Sequence, residues 1–394
     1  MITGSQFMAA NDPVLNHNRK PGIYIHIPFC LKKCNYCSFL SYPAYDSERE
    51  HYIDGLVREI RLRKNEVKEA DTIYLGGGTP SILKPVQLER ILDEVRRNFN
   101  ISDGAEVTIE ANPSTLTKEK LRSFRSMGVN RLSIGVQSMN DDRLRYLGRT
   151  HSRLDVVREY ELARRLGFDN ISMDLIFSIP GTTMDDALED LDEVIDLAPD
   201  HISFYSLQLE EGTRFFHDFE MGMLQEVSDE EDRETFREGC LMLRMNGYEH
   251  YEISNFGTPG HWSRHNHKYW SMVPYVGLGL GASSFTGGRR TVNVCNRKIY
   301  ADLVRSGSLP FETIHVNSER DNISEAVWTG LRRVEGVRYE DVLGSREAFE
   351  EYYSDVWDEV MEFAMRGFLA MSDEAMLLTE RGIDISNKIM ALFV

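Results

Sequence analysis

No run of apolar residues in this 394-residue chain comes near the ~20 needed to cross a bilayer. The N-terminal stretch MITGSQFMAANDPVLNHNRK lacks the basic start and apolar core of a secretory signal. Basic residues are in deficit too: 45 Lys and Arg stand against 63 Asp and Glu, for a net charge of −18. That balance argues against a general nucleic-acid binder and leaves room only for a local basic pocket. No internal repeat or low-complexity segment stands out. Cysteine is scarce, at five residues, which argues against a disulfide framework and suits a reducing cytoplasm. The hydrophobic fraction of 41% and charged fraction of 27% are ordinary for a globular enzyme. The length fits one large domain with a smaller companion.

Three of the five cysteines crowd into one short loop, at Cys30, Cys34 and Cys37. A disulfide would strand one thiol, and structural zinc ordinarily takes four ligands, of which this loop supplies three. Chance burial fits poorly with the neighbouring Lys32, Lys33 and Asn35. Thiolates are soft ligands that suit iron–sulfur clusters, zinc or copper(I). Three of them can hold three corners of a cubic cluster and leave the fourth iron open. Cys240 lies in a helical pattern and reads as a small core hydrophobe; Cys295 is isolated.

From Lys20 onward, strand and helix patterns alternate. Strand patterns cover 22–27, 71–75, 105–110, 131–136, 171–177 and 201–207, with helical periods at 47–64, 85–99, 118–127, 141–147, 153–166 and 184–197. Six such units in series predict parallel strands joined by helical crossovers, an α/β sheet curling into a partial barrel. Chemistry in such folds gathers at the C-terminal strand ends. There the six strands deliver, in order, the cysteine loop, Gly76-Gly77-Gly78, Glu110 with Asn112, Gln137, Asp174 and Gln208. Beyond Glu252 the alternation lapses into a loop-rich, aromatic stretch to about Asn296. Helical patterns follow at 322–331 and 346–366, with strand-like runs at 368–371 and 376–378. The expected division is an irregular extension over 1–20, a core domain over 21–255 and a mainly helical, winged-helix-like domain over 256–394. Close-approach glycines beside an open metal corner, with Glu110, Gln137 and Arg149 near, are equipment for holding S-adenosylmethionine.

Cys30-x3-Cys34-x2-Cys37 after one strand and Gly76-Gly77-Gly78-Thr79-Pro80 after the next resemble the radical S-adenosylmethionine superfamily. The segments Tyr24–Cys30, Tyr74–Ser81, Ser133–Ser138 and Met173–Ile176 narrow the resemblance to the oxygen-independent coproporphyrinogen III oxidase family. True oxidases carry a further cysteine two positions after the third, where this chain has Phe39, and a longer N-terminal segment. With His265-Asn266-x-x-Tyr269-Trp270, the pattern resembles the HemW-type haem chaperones, which bind haem, pass it to apo-haem proteins and lack oxidase activity.

The resemblance implies a (β/α)6 TIM-like radical SAM barrel in which Cys30, Cys34 and Cys37 ligate a [4Fe–4S] cluster. It implies that the open iron takes S-adenosylmethionine, with Tyr24 and Tyr36 lining the cofactor and Gly77, Gly78 and Thr79 at its methionine end. Glu110, Gln137, Arg149 and Asp174 surround its remaining polar groups. His265, with Tyr269 and Trp270, is the expected haem contact; His261 and His267 are close by. The expected partners are haem and an apo-haem acceptor, with room for peripheral contact with a membrane-bound acceptor and for a homodimer. The competing expectation is a radical enzyme acting on a porphyrin, either a coproporphyrinogen III dehydrogenase or a HemN-like methyltransferase.

Overall fold

The structure, a computed structural model, describes residues 19–64 and 66–394; most of the expected 1–20 extension lies outside the described residues. Six strands run parallel: β1 (Gly22–Ile27), β2 (Ala70–Gly77), β3 (Ile101–Ala111), β4 (Arg131–Gln137), β5 (Ile171–Phe177) and β6 (His201–Ser206). The crossovers carry α1 (Asp46–Leu62), α2 (Pro85–Asn98), α3 (Lys118–Ser126), α4 (Asp141–Leu147), α5 (Arg153–Arg165) and α6 (Met184–Asp196). The partial (β/α)6 barrel is therefore present.

The strands alternate strictly. Ile23, Ile25 and Ile27 of β1, Leu132, Ile134 and Val136 of β4, and Ile202 and Phe204 of β6 are buried against the helices. Leu88, Ile91, Leu92 and Val95 of α2 meet them from the helix layer. The opposite faces of the same strands point into the barrel and are polar: Arg131, Ser133 and Gln137 of β4, Asp174 of β5, and His201, Ser203 and Tyr205 of β6. Barrel interiors are ordinarily filled by branched apolar side chains. A polar interior enclosed by an apolar jacket is a chamber built for a ligand.

The stretch expected to be loop-rich is corrected by the structure. After β7 (Glu249–Glu252), it holds β8 (Asn255–Gly257), the helix α7 (Arg264–Trp270), β9 (Tyr275–Leu278), β10 (Ser283–Thr286) and β11 (Arg289–Asn293), followed by β12 (Phe311–Val316). One twelve-stranded sheet runs β12-β11-β10-β9-β1-β2-β3-β4-β5-β6-β8-β7. Glycines hid the strands: a Cβ on Gly277 would stand 2.0 Å from the Ser283 carbonyl oxygen, so only glycine permits this close fold-back. The turn after β9 is tied to α1 by buried Glu59, which accepts from Gly279 N–H (2.8 Å), Asn293 Nδ2 (2.7 Å) and Tyr300 OH (2.6 Å). The sheet thus continues through Val316, and a separate apolar core begins at Ile323.

That second core joins α8 (Glu319–Gly330), α9 (Tyr339–Leu343), α10 (Arg346–Tyr352) and α11 (Trp357–Met365) to a three-stranded antiparallel sheet of Val337–Arg338, Ala375–Leu378 and Leu369–Met371. The long helix expected over 346–366 is broken between α10 and α11, where Ser354 and Asp355 favour turns over helix interior. No helix among the described residues is long and apolar enough to cross a membrane.

Candidate functional site

A cavity of about 450 Å³ occupies the barrel, within the range of small-molecule sites. Its mouth is formed by Cys30, Cys34, Tyr36, Cys37 and Phe39, its upper wall by Gly77, Gly78, Thr79, Glu110, Gln137, Arg149 and Asp174. The structure thus brings together most of the residues expected from the sequence.

The cysteine loop is docked at several points. Asn35 donates its N–H to the Leu147 carbonyl (3.0 Å) and its Nδ2 to the Tyr146 carbonyl (2.8 Å), at the C-terminal end of α4. Gly148 ends that helix at φ +81°, with Asn35 Oδ1 3.2 Å from where a Cβ would stand. The triple glycine has the same logic. A Cβ on Gly78 would lie 2.7 Å from the Phe29 carbonyl oxygen, and Gly77 has φ +108°. Gly78 N–H donates to Ile27 O (2.9 Å), Thr79 N–H to Phe29 O (2.7 Å) and Gly77 N–H to Glu110 Oε2 (2.9 Å). The glycine donors are therefore engaged within the protein.

All three thiols are free, and each is half-buried at the mouth. Two of the three have a donor at the sulfur: Thr79 Oγ1 at 3.6 Å from Cys30 Sγ, and Arg149 Nη1 at 3.6 Å from Cys34 Sγ. Among the described residues no three His, Cys, Asp or Glu side chains close on a single ion. Thiolates set apart around one mouth, with a cation and a hydroxyl to stabilise their charge, fit the donor set of a cubic iron–sulfur cluster.

Below the mouth, Glu110 also accepts from Tyr74 OH (2.9 Å). Burial pushes its carboxyl up to about 7, against the lowering pull of the Tyr74 and Gly77 hydrogen bonds. Asp174 is likewise raised by burial, although the Ser133 and Ser172 hydroxyls each donate to it at 2.9 Å. Gln137 follows a register shift in β4 and has φ +70°, rare for a residue with a side chain. The bulge turns its amide into the cavity, and strain of this kind clusters at functional sites. Arg149 Nη2 donates to the Gly135 carbonyl at 2.7 Å, where a Cβ would crowd both Gln137 and Arg149.

Four expected residues are not on the cavity wall. Tyr24 stands one ring behind it, stacked on Tyr74 at 6.2 Å and bonded to His26 Nδ1 at 2.9 Å. His265 is fully buried and both its ring nitrogens are engaged, with Thr72 Oγ1 and Tyr269 OH, each at 2.8 Å. Burial, then the charges of Lys268 and Arg131, push it down to about 3, so it is neutral. His265, Tyr269 and Trp270, the expected haem contacts, do not line the cavity. Helix α7 caps the N-terminal ends of the strands, the opposite end from the cysteines. Its first N–H groups, of Arg264 and His265, donate to Glu106 at 3.1 and 3.0 Å, and Lys268 pairs with Asp71 at 2.6 Å. His265 stacks under Tyr74 at 5.2 Å, which in turn holds Glu110. Trp270 lies under the Arg332 guanidinium, 4.5 Å from its ring centre, facing the second core. Of this segment only Asn266 reaches the cavity. Tyr74, Arg131, His201, Tyr205 and Asn255 line the cavity as well; inward alternation from a polar strand end was the signal that could have found them.

Residues 24–194 match the family model of the radical SAM superfamily. The chain is 36% identical over 379 residues to the haem chaperone HemW of Bacillus subtilis (strain 168), covering 94% of this chain and 98% of that one. It is 36% identical over 267 residues to the haem chaperone HemW of Escherichia coli (strain K12), covering 66% and 68%. Among solved structures, the coproporphyrinogen III oxidase HemN from Escherichia coli superposes with a TM-score of 0.83 at 22% identity, over 97% of this chain and 92% of that one, which establishes the shared fold. With this near end-to-end likeness, and with three free thiols at the mouth of a polar barrel, the chain belongs to the HemW family of the radical SAM superfamily.

Proposed function

We propose that the protein is a haem chaperone, which binds haem and passes it to apo-haem proteins while carrying a [4Fe–4S] cluster and S-adenosylmethionine in its barrel. The observation that carries the reading is the near full-length correspondence with a relative named as a haem chaperone. Cys30, Cys34 and Cys37 would hold the cluster, which when bound supplies one-electron chemistry at an open iron. Glu110, its carboxyl poised near neutrality, receives a cationic amine; Gln137 and Asp174 take ribose hydroxyls; Arg149 stabilises thiolate charge and pairs with a carboxylate. Phe39 supports the choice against oxidase chemistry. It is 68% exposed at the rim, an apolar face open to solvent where the oxidase pattern carries a cysteine.

The proposal keeps a cytoplasmic setting and includes two finer features, a membrane-bound acceptor met peripherally and a homodimer. The reading keeps His265, Tyr269 and Trp270 as the haem-contact segment, on α7. Anaerobic titration of the reconstituted protein with haem is expected to show a saturable change in the Soret region at one haem per chain. In parallel, incubation with reductant, S-adenosylmethionine and coproporphyrinogen III is expected to release no protoporphyrinogen. Its release would move the reading to the radical enzyme.

A further inference from the structure

The inward residues of β4 descend from Gln137 through Gly135 and Ser133 to Arg131. At about 3.3 Å per residue, Arg131 starts roughly 20 Å below Gln137, at the end floored by α7. It is 1% exposed to solvent, yet it lines the cavity. Its Nε has no hydrogen-bond partner, and the guanidinium forms no hydrogen bond or ion pair among the described residues. The hydroxyl of Thr108, its register partner on β3, is buried and unpartnered as well.

None of the surrounding acids closes on this cation as an ion pair, although Glu110 and Asp174 both feel its charge. Both oxygens of Glu110 accept from Tyr74 and Gly77, both of Asp174 from Ser133 and Ser172, and both of Glu106 from the first N–H groups of α7. Glu252, from β7, accepts from the Asn255 amide. The histidines are committed too: His201 bonds Ser172 Oγ and Tyr251 OH, each at 2.8 Å, and His265 bonds Thr72 and Tyr269. Buried charges are ordinarily paired. A guanidinium presents a planar fork of donors matched to a carboxylate.

We propose that the barrel floor is a second binding compartment, for a small aliphatic carboxylate, with Arg131 as its anchor. It lies below the positions proposed for S-adenosylmethionine, and it stands whether or not the protein transfers haem. The carboxylate comes either from a separate acid or from S-adenosylmethionine itself; the proposal is for the separate acid.

The test is calorimetric titration of the anaerobic, cluster-loaded full-length protein, saturated with S-adenosylmethionine, using propionate as the probe. The wild type is expected to show one saturable site. Arg131→Gln is expected to weaken it at least about tenfold, and Arg131→Lys by less, because the charge stays but the fork is lost. Iron content should stay within about twofold, since the guanidinium lies at the opposite end of the barrel from the cysteines. Heat of dilution alone in the wild type means that water solvates the guanidinium, and overturns the proposal. So does a Gln variant that loses S-adenosylmethionine but keeps propionate. Should Arg131→Gln fail to fold, Arg131→Lys takes its place: weaker propionate binding supports the compartment, and unchanged binding contradicts it.

Discussion

Replacing Cys34 with serine is expected to strip the protein of its cluster. Iron after anaerobic reconstitution should fall from about four per chain to below about one, with loss of the visible thiolate-to-iron absorption. The cause is local. The loop offers three thiols and no other ligand, and serine replaces a soft donor by a hard, protonated one. Arg149, whose Nη1 stands 3.6 Å from Cys34 Sγ, loses the anionic group it faces. S-adenosylmethionine affinity should fall with the iron, by at least about tenfold, because the open metal corner is its proposed anchor. Cys295→Ser is the control: that thiol is exposed and outside the cavity, so iron content should be unchanged. Full iron in Cys34→Ser would refute the ligand assignment.

The second large effect concerns Glu110. Its carboxyl titrates at about 7 in the fold, raised by burial from an ordinary 4.5. The protonated form is thus favoured in the folded state. The stability this contributes is fully present below pH 4.5 and is lost as pH rises through 7. Without ligand, the wild type should therefore lose on the order of 3 kcal/mol relative to Glu110→Gln between about pH 5 and pH 8. A cation placed against the carboxylate reverses the sign. S-adenosylmethionine should stabilise the wild type increasingly across the same window, and the Gln variant much less. Denaturant unfolding at several pH values, with and without S-adenosylmethionine, checks both halves. Parallel pH curves for wild type and variant would show that Glu110 does not titrate there.

The first six strands were legible because β-branched runs ending in glycine or polar residues are strong local signals, and each ends at the expected face of the cavity. Cys30, Gly77, Glu110, Arg149 and Asp174 follow from that rule together with the family pattern. His265 shows where it runs out. Its spacing to Tyr269 puts both on one turn of helix, and they do bond to each other, but local spacing carries no information on which end of the barrel the helix closes. Glu106 and Asp71, more than 150 residues away in sequence, decide that by holding the helix at the strand N-termini. The strand β9 was hidden because Gly277 interrupts its four-residue run, and the close approach that glycine permits is visible only against Ser283. The left-handed backbone of Gln137 was likewise invisible, since nothing in Val136-Gln137-Ser138 marks a bulge.

Haem delivery is the function proposed for this protein. The most direct measurement is transfer itself: the purified, cluster-loaded protein, charged with one equivalent of haem, is mixed with an apo-cytochrome and the holo-cytochrome spectrum is followed. Appearance of that spectrum faster than from free haem, with matching loss of haem from the donor, is the predicted result. Retention of all haem by the donor, or transfer no faster than from free haem, would contradict it.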